Sequence, residues 1–236
     1  MASAIVDFRI PHEAEAALAR EGFSVIKTEP HDRLPPPLSG HPDMIFSKID
    51  ASLFTTRDYF DKHTSLIDKI KSASPSLEII TTEDLPSAEY PNDAKMNILT
   101  TKTAVFLNPK TASSELISHA KASGREIHFT RQGYPACTSL IVGNTAISAD
   151  RGMARLFSCV GLNTLVIDDG GILLPPYPFG FIGGASGVYR DRVYFIGNLD
   201  AHRAGEKIKS ACLGEGFIPI SLGSFPLVDL GGIIFI

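Results

Sequence analysis

The segment Gly40-His41-Pro42-Asp43-Met44-Ile45-Phe46-Ser47 joins a turn rich in Gly and Pro to a β-type run, and this pattern returns four times. The later turns are Tyr90-Pro91-Asn92-Asp93, Gly133-Tyr134-Pro135-Ala136-Cys137, Phe181-Ile182-Gly183-Gly184 and Phe225-Pro226-Leu227-Val228-Asp229. Their spacing is nearly constant: about 50, 44, 47 and 45 residues separate Asp43, Asp93, Cys137, Gly184 and Asp229. A repeat of this length usually defines the whole architecture. The sequence therefore predicts five units of one fold whose turns face a common axis.

Each unit is predicted to have the order ββαβ, which places the chain in the α/β class. Apolar residues spaced near the helical period predict helices over 11–21, 56–72, 111–123, 150–160 and 201–213. Four glycines follow these helices and are expected to end them with left-handed backbone: Gly22, Gly124, Gly161 and Gly214. Asp150 is expected to cap one helix start, and either Asn198 or Asp200 another. A β-type run follows each helix, and one or two more follow each turn.

The two ends of the sequence complete one unit between them. The first helix and strand have no hairpin before them, and the last hairpin has no helix after it. Pairing of Gly232-Ile233-Ile234-Phe235-Ile236 with Ile5-Val6-Asp7-Phe8-Arg9 would supply the missing strands and cover an apolar edge. We therefore expect one domain over residues 1–236, a five-bladed α/β propeller with pseudo-fivefold symmetry whose ring the terminal segments close.

This pattern resembles the pentein fold of the guanidino-group-modifying enzymes. That superfamily includes arginine deiminases, amidinotransferases, dimethylarginine hydrolases and a ribosome-binding translation factor without catalysis. The resemblance implies a cysteine nucleophile near the C-terminus, just after a Gly-Gly pair, with a histidine and acidic residues at the axis. Here Gly231-Gly232 is followed by Ile233-Ile234-Phe235-Ile236, so the expected cysteine is absent. The chain looks like a bacterial branch, without an assigned activity, that lacks the usual C-terminal His-Cys pair.

Composition excludes several classes of protein. Hydrophobic residues make up 44% of the 236 residues, which is ample for a core, and the net charge of −4 offers no field for nucleic acid. We expect no membrane association, because the longest uncharged stretch, 170–189, holds three prolines and six glycines. The first residues lack the features of a signal peptide, and three cysteines favour reduced thiols. These observations predict a cytoplasmic location, and no cofactor is implied.

The candidate site residues are those expected to meet at the axis. Cys137 is the candidate nucleophile, and His41 is the candidate acid or base. As an imidazolium, His41 would lower the pKa of the thiol. Asp43 is expected to orient the histidine. The candidate ligand-binding residues are Asp93, Gln132, Tyr134, Gly183, Gly184, Asp229 and His202. Several of them have a structural alternative: Cys137 as a small packing residue, the aspartates as turn caps, and His202 as a surface residue. Cys159 and Cys212, near the ends of two predicted helices, are expected to be small buried packing residues.

Two functions from different classes fit this set. The first is a cysteine-dependent hydrolase or transferase acting on a small guanidine, amidine or amino-acid-like compound at the axis. The second is a pentein without catalysis that binds a small molecule or another protein. A metal site made of His41, Asp43 and Cys137 is disfavoured because no paired ligand spacing supports it. The acidic balance disfavours ribosome binding, and the sequence leaves the oligomeric state open.

Overall fold

The computed structural model describes residues 2–168 and 170–236, which form a mixed α/β fold. The strands are β1 (Ser3–Val6), β2 (Ser24–Lys27), β3 (Ser47–Ile49), β4 (Ser52–Thr56), β5 (Glu78–Thr82), β6 (Leu99–Thr100), β7 (Ala104–Leu107), β8 (Glu126–Phe129), β9 (Ser139–Val142), β10 (Thr145–Ser148), β11 (Asn163–Val166), β12 (Ser186–Tyr189), β13 (Arg192–Phe195), β14 (Ile218–Ser221) and β15 (Ile234–Phe235). The helices are α1 (His12–Arg20), α2 (Pro42–Ile45), α3 (Arg57–Lys62), α4 (Thr64–Ala73), α5 (Ser114–Ala122), α6 (Pro135–Thr138), α7 (Arg151–Cys159) and α8 (Gly205–Gly214).

The strands form five three-stranded sheets with one topology. Their strand orders are β15-β1-β2, β3-β4-β5, β6-β7-β8, β9-β10-β11 and β12-β13-β14. In each sheet the first two strands are antiparallel, and the third returns parallel after a helix. The predicted ββαβ unit is therefore confirmed.

Pairing of the two terminal segments is also confirmed. Ala4 lies opposite Phe235 and Ile5 opposite Ile234 in the antiparallel pair of β1 and β15. The sheet continues to β2 in parallel register. The apolar last strand is thus covered, as expected for a strand whose exposed edge would favour aggregation.

The predicted helices are present, with two corrections to their bounds. The helix expected over 56–72 is two helices, because the backbone at His63 leaves helical geometry (φ −112°, ψ 45°) between α3 and α4. The helix expected over 201–213 begins later, at Gly205, after a 3₁₀ turn at Leu199–Ala201. No helix in the described part of the chain is long and apolar enough to cross a membrane.

The helix ends follow the predicted chemistry at most places. The Asp150 carboxylate accepts hydrogen bonds from the backbone N–H groups of Gly152 and Met153, and the Asn198 side chain accepts one from Asp200 N–H. Gly22, Gly124 and Gly161 have positive φ, as expected after a helix. Gly214 is the exception: it lies inside α8, and Gly216 adopts the left-handed backbone (φ +80°).

Each helix buries its apolar face against a sheet. Cys212 on α8 is fully buried in the cluster that contains Val193 and Phe195 of β13, which confirms its predicted packing role. Cys159 was expected to be buried in the same way, and that prediction is wrong, because it is exposed at the last residue of α7. The three thiols are unpaired.

Candidate functional site

Two of the five turns form short helices that bring a carboxyl group and a thiol together. Pro42 begins α2 and Pro135 begins α6, where a proline costs no hydrogen bond because the first helical N–H has no partner within the helix. Asp43 follows one proline directly, and Cys137 lies two residues after the other. The Cys137 thiol donates to Asp43 Oδ2 at 2.6 Å. The repeat spacing correctly indicated that these two turns converge.

Asn97 connects these turns, although sequence reasoning missed it. Its side-chain nitrogen donates to Cys137 Sγ at 3.1 Å and to the Asp43 carbonyl oxygen at 3.3 Å. Its side-chain oxygen accepts from Ala136 N–H at 2.9 Å. Asn97 is fully buried. A buried amide with these bonds holds both turns in register.

Asp229 lies in the same cluster and is held by backbone groups. Its carboxylate accepts from Phe181 N–H at 2.9 Å and from Gly231 N–H at 3.1 Å. A Cβ atom on Gly184 would lie 2.0 Å from Asp229 Oδ1. Gly184, a predicted ligand-binding residue, therefore leaves the room that the Asp229 carboxyl occupies.

His41 occupies the cluster without the contact expected of it. The expected hydrogen bond between the described residues His41 and Cys137 is not formed, because Asp43 takes the position beside the thiol. His41 is fully buried, and neither ring nitrogen has a hydrogen-bond partner in residues 2–168 and 170–236. Its Nδ1 atom lies 3.9 Å from Asp229 Oδ1. Burial lowers the pKa of His41 to about 4, so the ring is neutral at pH 7.

The thiol pKa therefore shifts in the direction opposite to the prediction. Burial raises the pKa of Cys137 well above its usual value, and the nearby Asp43 carboxyl raises it further. Burial also raises the pKa of Asp43 to about 6. Burial, with the charge of Asp43 as the second cause, raises the pKa of Asp229 to about 7. The cluster thus disfavours negative charge on all three groups.

Asp93, Tyr134 and Gln132 form a second polar group beside α6. The Tyr134 hydroxyl donates to Asp93 Oδ2 at 2.7 Å, while the buried Oδ1 of Asp93 has no partner among the described residues. Gln132 accepts from Tyr134 N–H at 3.2 Å and donates to the Asp150 carboxylate at 2.6 Å. Burial raises the pKa of Asp93. Gln132 therefore supports the turn that carries Tyr134.

His202 has a local structural role. It is buried, which corrects the alternative that placed it on the surface. Its Nδ1 atom accepts from Ala204 N–H at 3.1 Å, so its Nε2 donates to the carbonyl oxygen of Gly170 at 3.1 Å. None of these partners is another candidate residue. None of these contacts connects His202 to the cluster of Asp43 and Cys137.

A cavity of about 860 Å³ reaches the cluster. Its lining includes residues that come just before the strands: Asp43, Ala136, Gly183 and Gly231. Its wall is formed by the first strand of each sheet: β3, β6, β9, β12 and β15. Asp43 is partly accessible, whereas Cys137, Asp229 and His41 are buried. Among the described residues there is no group of three or more His, Cys, Asp or Glu side chains that could hold a metal ion.

The sequence model of one protein family, described as "Family of unknown function (DUF6873)", matches residues 5–234. The chain belongs to this family. No curated protein matches the sequence.

Solved structures of guanidino-group-modifying enzymes are similar to this chain. The SxtG amidinotransferase from Microseira wollei shares 14% identity (92% of this chain, 78% of that one, TM-score 0.54). The Pseudomonas aeruginosa dimethylarginine dimethylaminohydrolase complexed with citrulline shares 10% (94% and 91%, TM-score 0.59). The inosamine-phosphate amidinotransferase from Streptomyces griseus shares 13% (95% and 78%, TM-score 0.57). The resemblance to the pentein fold is confirmed. Likeness at this identity shows a shared fold, and a fold hosts many functions.

Proposed function

We propose that this protein binds a small cationic compound, a guanidine, amidine or amine, at the Asp43 and Asp229 carboxyl groups. The observation that carries the proposal is that these two carboxyls share one cluster, and no lysine or arginine of the described residues pairs with either. Burying a carboxylate without a cation is costly, and protonation relieves that cost. A bound cation would relieve it as well.

We infer that the five sheets are the blades of one ring, with this cluster near its axis. Hydrogen bonds between neighbouring sheets or their turns support a closed circle: Lys48 to Phe235 (β3 to β15), Thr100 to Lys48 (β6 to β3), Ala136 to Asn97 (before β9 to before β6), Gly184 to Cys137 (before β12 to before β9) and Ile233 to Ser186 (before β15 to β12). A common axis explains why turns far apart in sequence supply one site.

The three unpaired thiols support the predicted cytoplasmic location.

The unpaired carboxyl oxygen of Asp43 identifies the contact that a ligand would make. Oδ2 accepts from the Cys137 thiol, and the buried Oδ1 has no partner among the described residues. This oxygen lacks a hydrogen-bond donor and a neighbouring positive charge. A guanidinium, amidinium or ammonium group would supply both. Asp43 also lines the cavity. Because Gly231 packs closely over Oδ1, the proposal requires a local shift of this turn when a ligand binds.

Binding of a cation is expected to displace a proton. The Asp43 and Asp229 pKa values near 6 and 7 mean that part of the cluster is protonated at neutral pH. The affinity for methylguanidine, acetamidine or hexylamine should therefore rise about tenfold or more from pH 5 to pH 8. Titration calorimetry in buffers of different ionisation enthalpy would measure both the affinity and the proton released.

Asp43→Asn is the matched test of this site, since it removes the charge and keeps the shape. It should abolish the binding and the proton release, whereas Asp61→Asn, on the exposed surface of α3, should change neither. The proposal is wrong if no cation of the three classes binds the parent protein, or if Asp43→Asn binds them equally well.

Catalysis by Cys137 is a second candidate, favoured by the 2.6 Å contact between its thiol and Asp43. A carboxylate so placed could accept the thiol proton in place of His41. The candidate requires the thiol pKa to fall when a cationic ligand binds, because in the structure burial raises it. Cys137→Ala would then abolish turnover of the ligand.

Alkylation separates these candidates with a control inside the molecule. At pH 7.5 the exposed Cys159 should react with iodoacetamide, and Cys137 should react at least roughly a hundredfold more slowly, because its pKa is raised and it is buried. Buried Cys212 should behave like Cys137. Peptide mass spectrometry would report the three rates. Modification of Cys137 as fast as Cys159, with or without a guanidine present, would favour the catalytic candidate.

A further inference from the structure

The cavity has two ends of different chemistry. Asp43, Gly183 and Gly231 precede the strands that form the wall, so they mark one end. The hairpin tips that follow β3, β6 and β12 mark the other end, because each of these strands runs from the cluster toward its tip. Four Lys or Arg side chains line the cavity: Lys48, the middle residue of β3, and Lys102, Arg125 and Arg190, at the tips or beside them.

Lys48 differs from the other three cationic side chains because it is half-buried without an ion pair among the described residues. Lys102 and Arg190 are exposed, and Arg125 is paired. Asp50 pairs with Arg125, which holds both side chains. Lys48 Nζ donates to the Phe235 carbonyl oxygen at 2.7 Å and forms no ion pair within the described part of the chain. An ammonium group has three N–H donors. The bond to Phe235 uses one of them and leaves two N–H donors for a ligand. Burial lowers the pKa of Lys48, the direction expected for a cation that has lost water.

The wall between the two ends includes apolar side chains. Side chains from four of the inner strands or the residues just before them contribute to it: Phe46, Ile98, Leu140 and Ile233. Such a surface favours a hydrocarbon chain over a polar one. At about 860 Å³ the cavity lies in the size range of small-molecule sites.

We propose that Lys48 binds a carboxylate on the ligand, which lies along the cavity with its cationic end at Asp43 and its carboxylate at the hairpin-tip end. This inference rests on the proposed function and adds to it the second charged contact and the orientation. A carboxylate carries one negative charge, which matches the single charge of Lys48, whereas a phosphate carries close to two at pH 7. The ligand class is therefore an elongated amphoteric molecule with an apolar middle.

Two amines that differ in one group test the inference directly. Hexylamine and 6-aminohexanoate share the cationic end and the hydrocarbon chain, and the second adds the carboxylate. The parent protein should bind 6-aminohexanoate about tenfold or more tightly than hexylamine at pH 8, the effect of one charge-assisted hydrogen bond. Lys48→Met should remove that preference and leave the affinity for hexylamine unchanged.

Two further variants make the test specific. Lys121→Met, on the exposed side of α5, should leave both affinities as in the parent protein. Lys48→Arg restores a positive charge and should restore most of the preference, which separates charge from damage to the fold caused by losing the bond to Phe235.

The outcomes distinguish this inference from the proposed function. If both amines bind with equal affinity and both depend on Asp43, the inference is overturned and the proposed function stands. If Lys48→Met keeps the preference for 6-aminohexanoate, the carboxylate is bound elsewhere and the inference is again overturned. If neither amine binds, it also fails, and the proposed function then depends on the result with methylguanidine and acetamidine.

Discussion

The stability of Asp43→Asn relative to the parent chain is expected to be about 2 kcal/mol higher above pH 6 than at pH 4. The pKa of Asp43 is raised to about 6 in the folded protein from an ordinary value of 3.8. Below pH 4 the carboxyl is neutral in the folded and the unfolded chain. Between pH 4 and pH 6 the unfolded chain loses the proton first, so the free energy of unfolding falls as the pH rises. Asparagine has no proton to lose and escapes this penalty.

The size of the effect follows from the position of Asp43. A shift of this size corresponds to about 3 kcal/mol for a group without water. Asp43 as a whole is partly accessible although its Oδ1 is buried. Screening by solvent is therefore partial, and we take the lower figure of about 2 kcal/mol. The thiol bond survives the substitution, because the remaining side-chain oxygen of asparagine can still accept from Cys137. The new NH₂ group takes the place of Oδ1, which is buried and has no partner among the described residues, so the variant carries a cost that does not depend on pH. The charge effect should therefore appear as the pH-dependent part of the difference between the two proteins.

Urea denaturation at several pH values between 4 and 8 would measure the difference between the two proteins. The comparison of the two proteins is needed because buried His41, with a pKa lowered to about 4, makes the free energy of unfolding of both proteins rise with pH, opposite to the effect of Asp43. Its stabilising effect is present above about pH 6.5 and is lost as the pH falls toward 4. A difference between parent and variant that stays constant from pH 4 to pH 8 would show that Asp43 has an ordinary pKa.

Asp229→Asn provides the contrast. Both oxygens of Asp229 accept backbone N–H bonds, from Phe181 and Gly231. An amide must turn its NH₂ group toward one of these donors, which leaves a buried donor without an acceptor. We expect this variant to be destabilised even at pH 4, by about 1 to 3 kcal/mol. A carboxylate whose charge lowers the stability of the fold, as that of Asp43 should above pH 6, serves a ligand better than it serves folding.

Local chemistry explains why the fold could be predicted from the sequence. Turn residues recur at a nearly fixed spacing, and each cap or stop signal acts within a few residues, as with Asp150 at the start of α7. The break at His63 was missed because no glycine or proline announces it. The ring centroids of His63 and Tyr59 lie 4.4 Å apart, and such an aromatic contact between residues four apart gives no sign in the sequence that the helix ends there.

The site was harder to predict because its contacts join different sheets. The repeat showed that Asp43 and Cys137 converge, but the partner of the thiol depends on packing between units. Asn97 left a signal in the sequence: a polar residue between the apolar Met96 and Ile98, both of which are buried. The direction of the Cys137 pKa could not be predicted, since it depends on whether water and a charged histidine reach the thiol.

The glycine turn before β12 gives the second large effect. Gly183→Ala is expected to lower the free energy of unfolding by about 3 kcal/mol or more. The new Cβ would lie 2.0 Å from the Ala136 carbonyl oxygen and 2.5 Å from that of Ser139. It would also lie 2.7 Å from the carbonyl oxygen of Cys137. These are backbone atoms of α6 and β9, so no side-chain rotation can relieve the clash.

Gly214→Ala is the matched control for this substitution. Gly214 lies in α8, and among the described residues no heavy atom outside its own helix comes within 4 Å of its added Cβ. Alanine there should raise the free energy of unfolding by up to about 1 kcal/mol, since it favours the helix. The two glycine substitutions should therefore have opposite signs in urea denaturation at one pH.

The effect of Gly183→Ala should extend to the site, because the turn presses on the segment that carries the thiol. Gly184 N–H donates to the Cys137 carbonyl oxygen at 3.0 Å, so a displaced turn also loses this bond. Where the variant still folds, Cys137 should react with iodoacetamide faster than in the parent protein, while exposed Cys159 keeps its rate. A variant with parental stability and an unchanged Cys137 rate would mean that the turn before β12 and α6 are not in the close contact described. Such a result would contradict the inference that packing of this turn against α6 holds Cys137 beside Asp43.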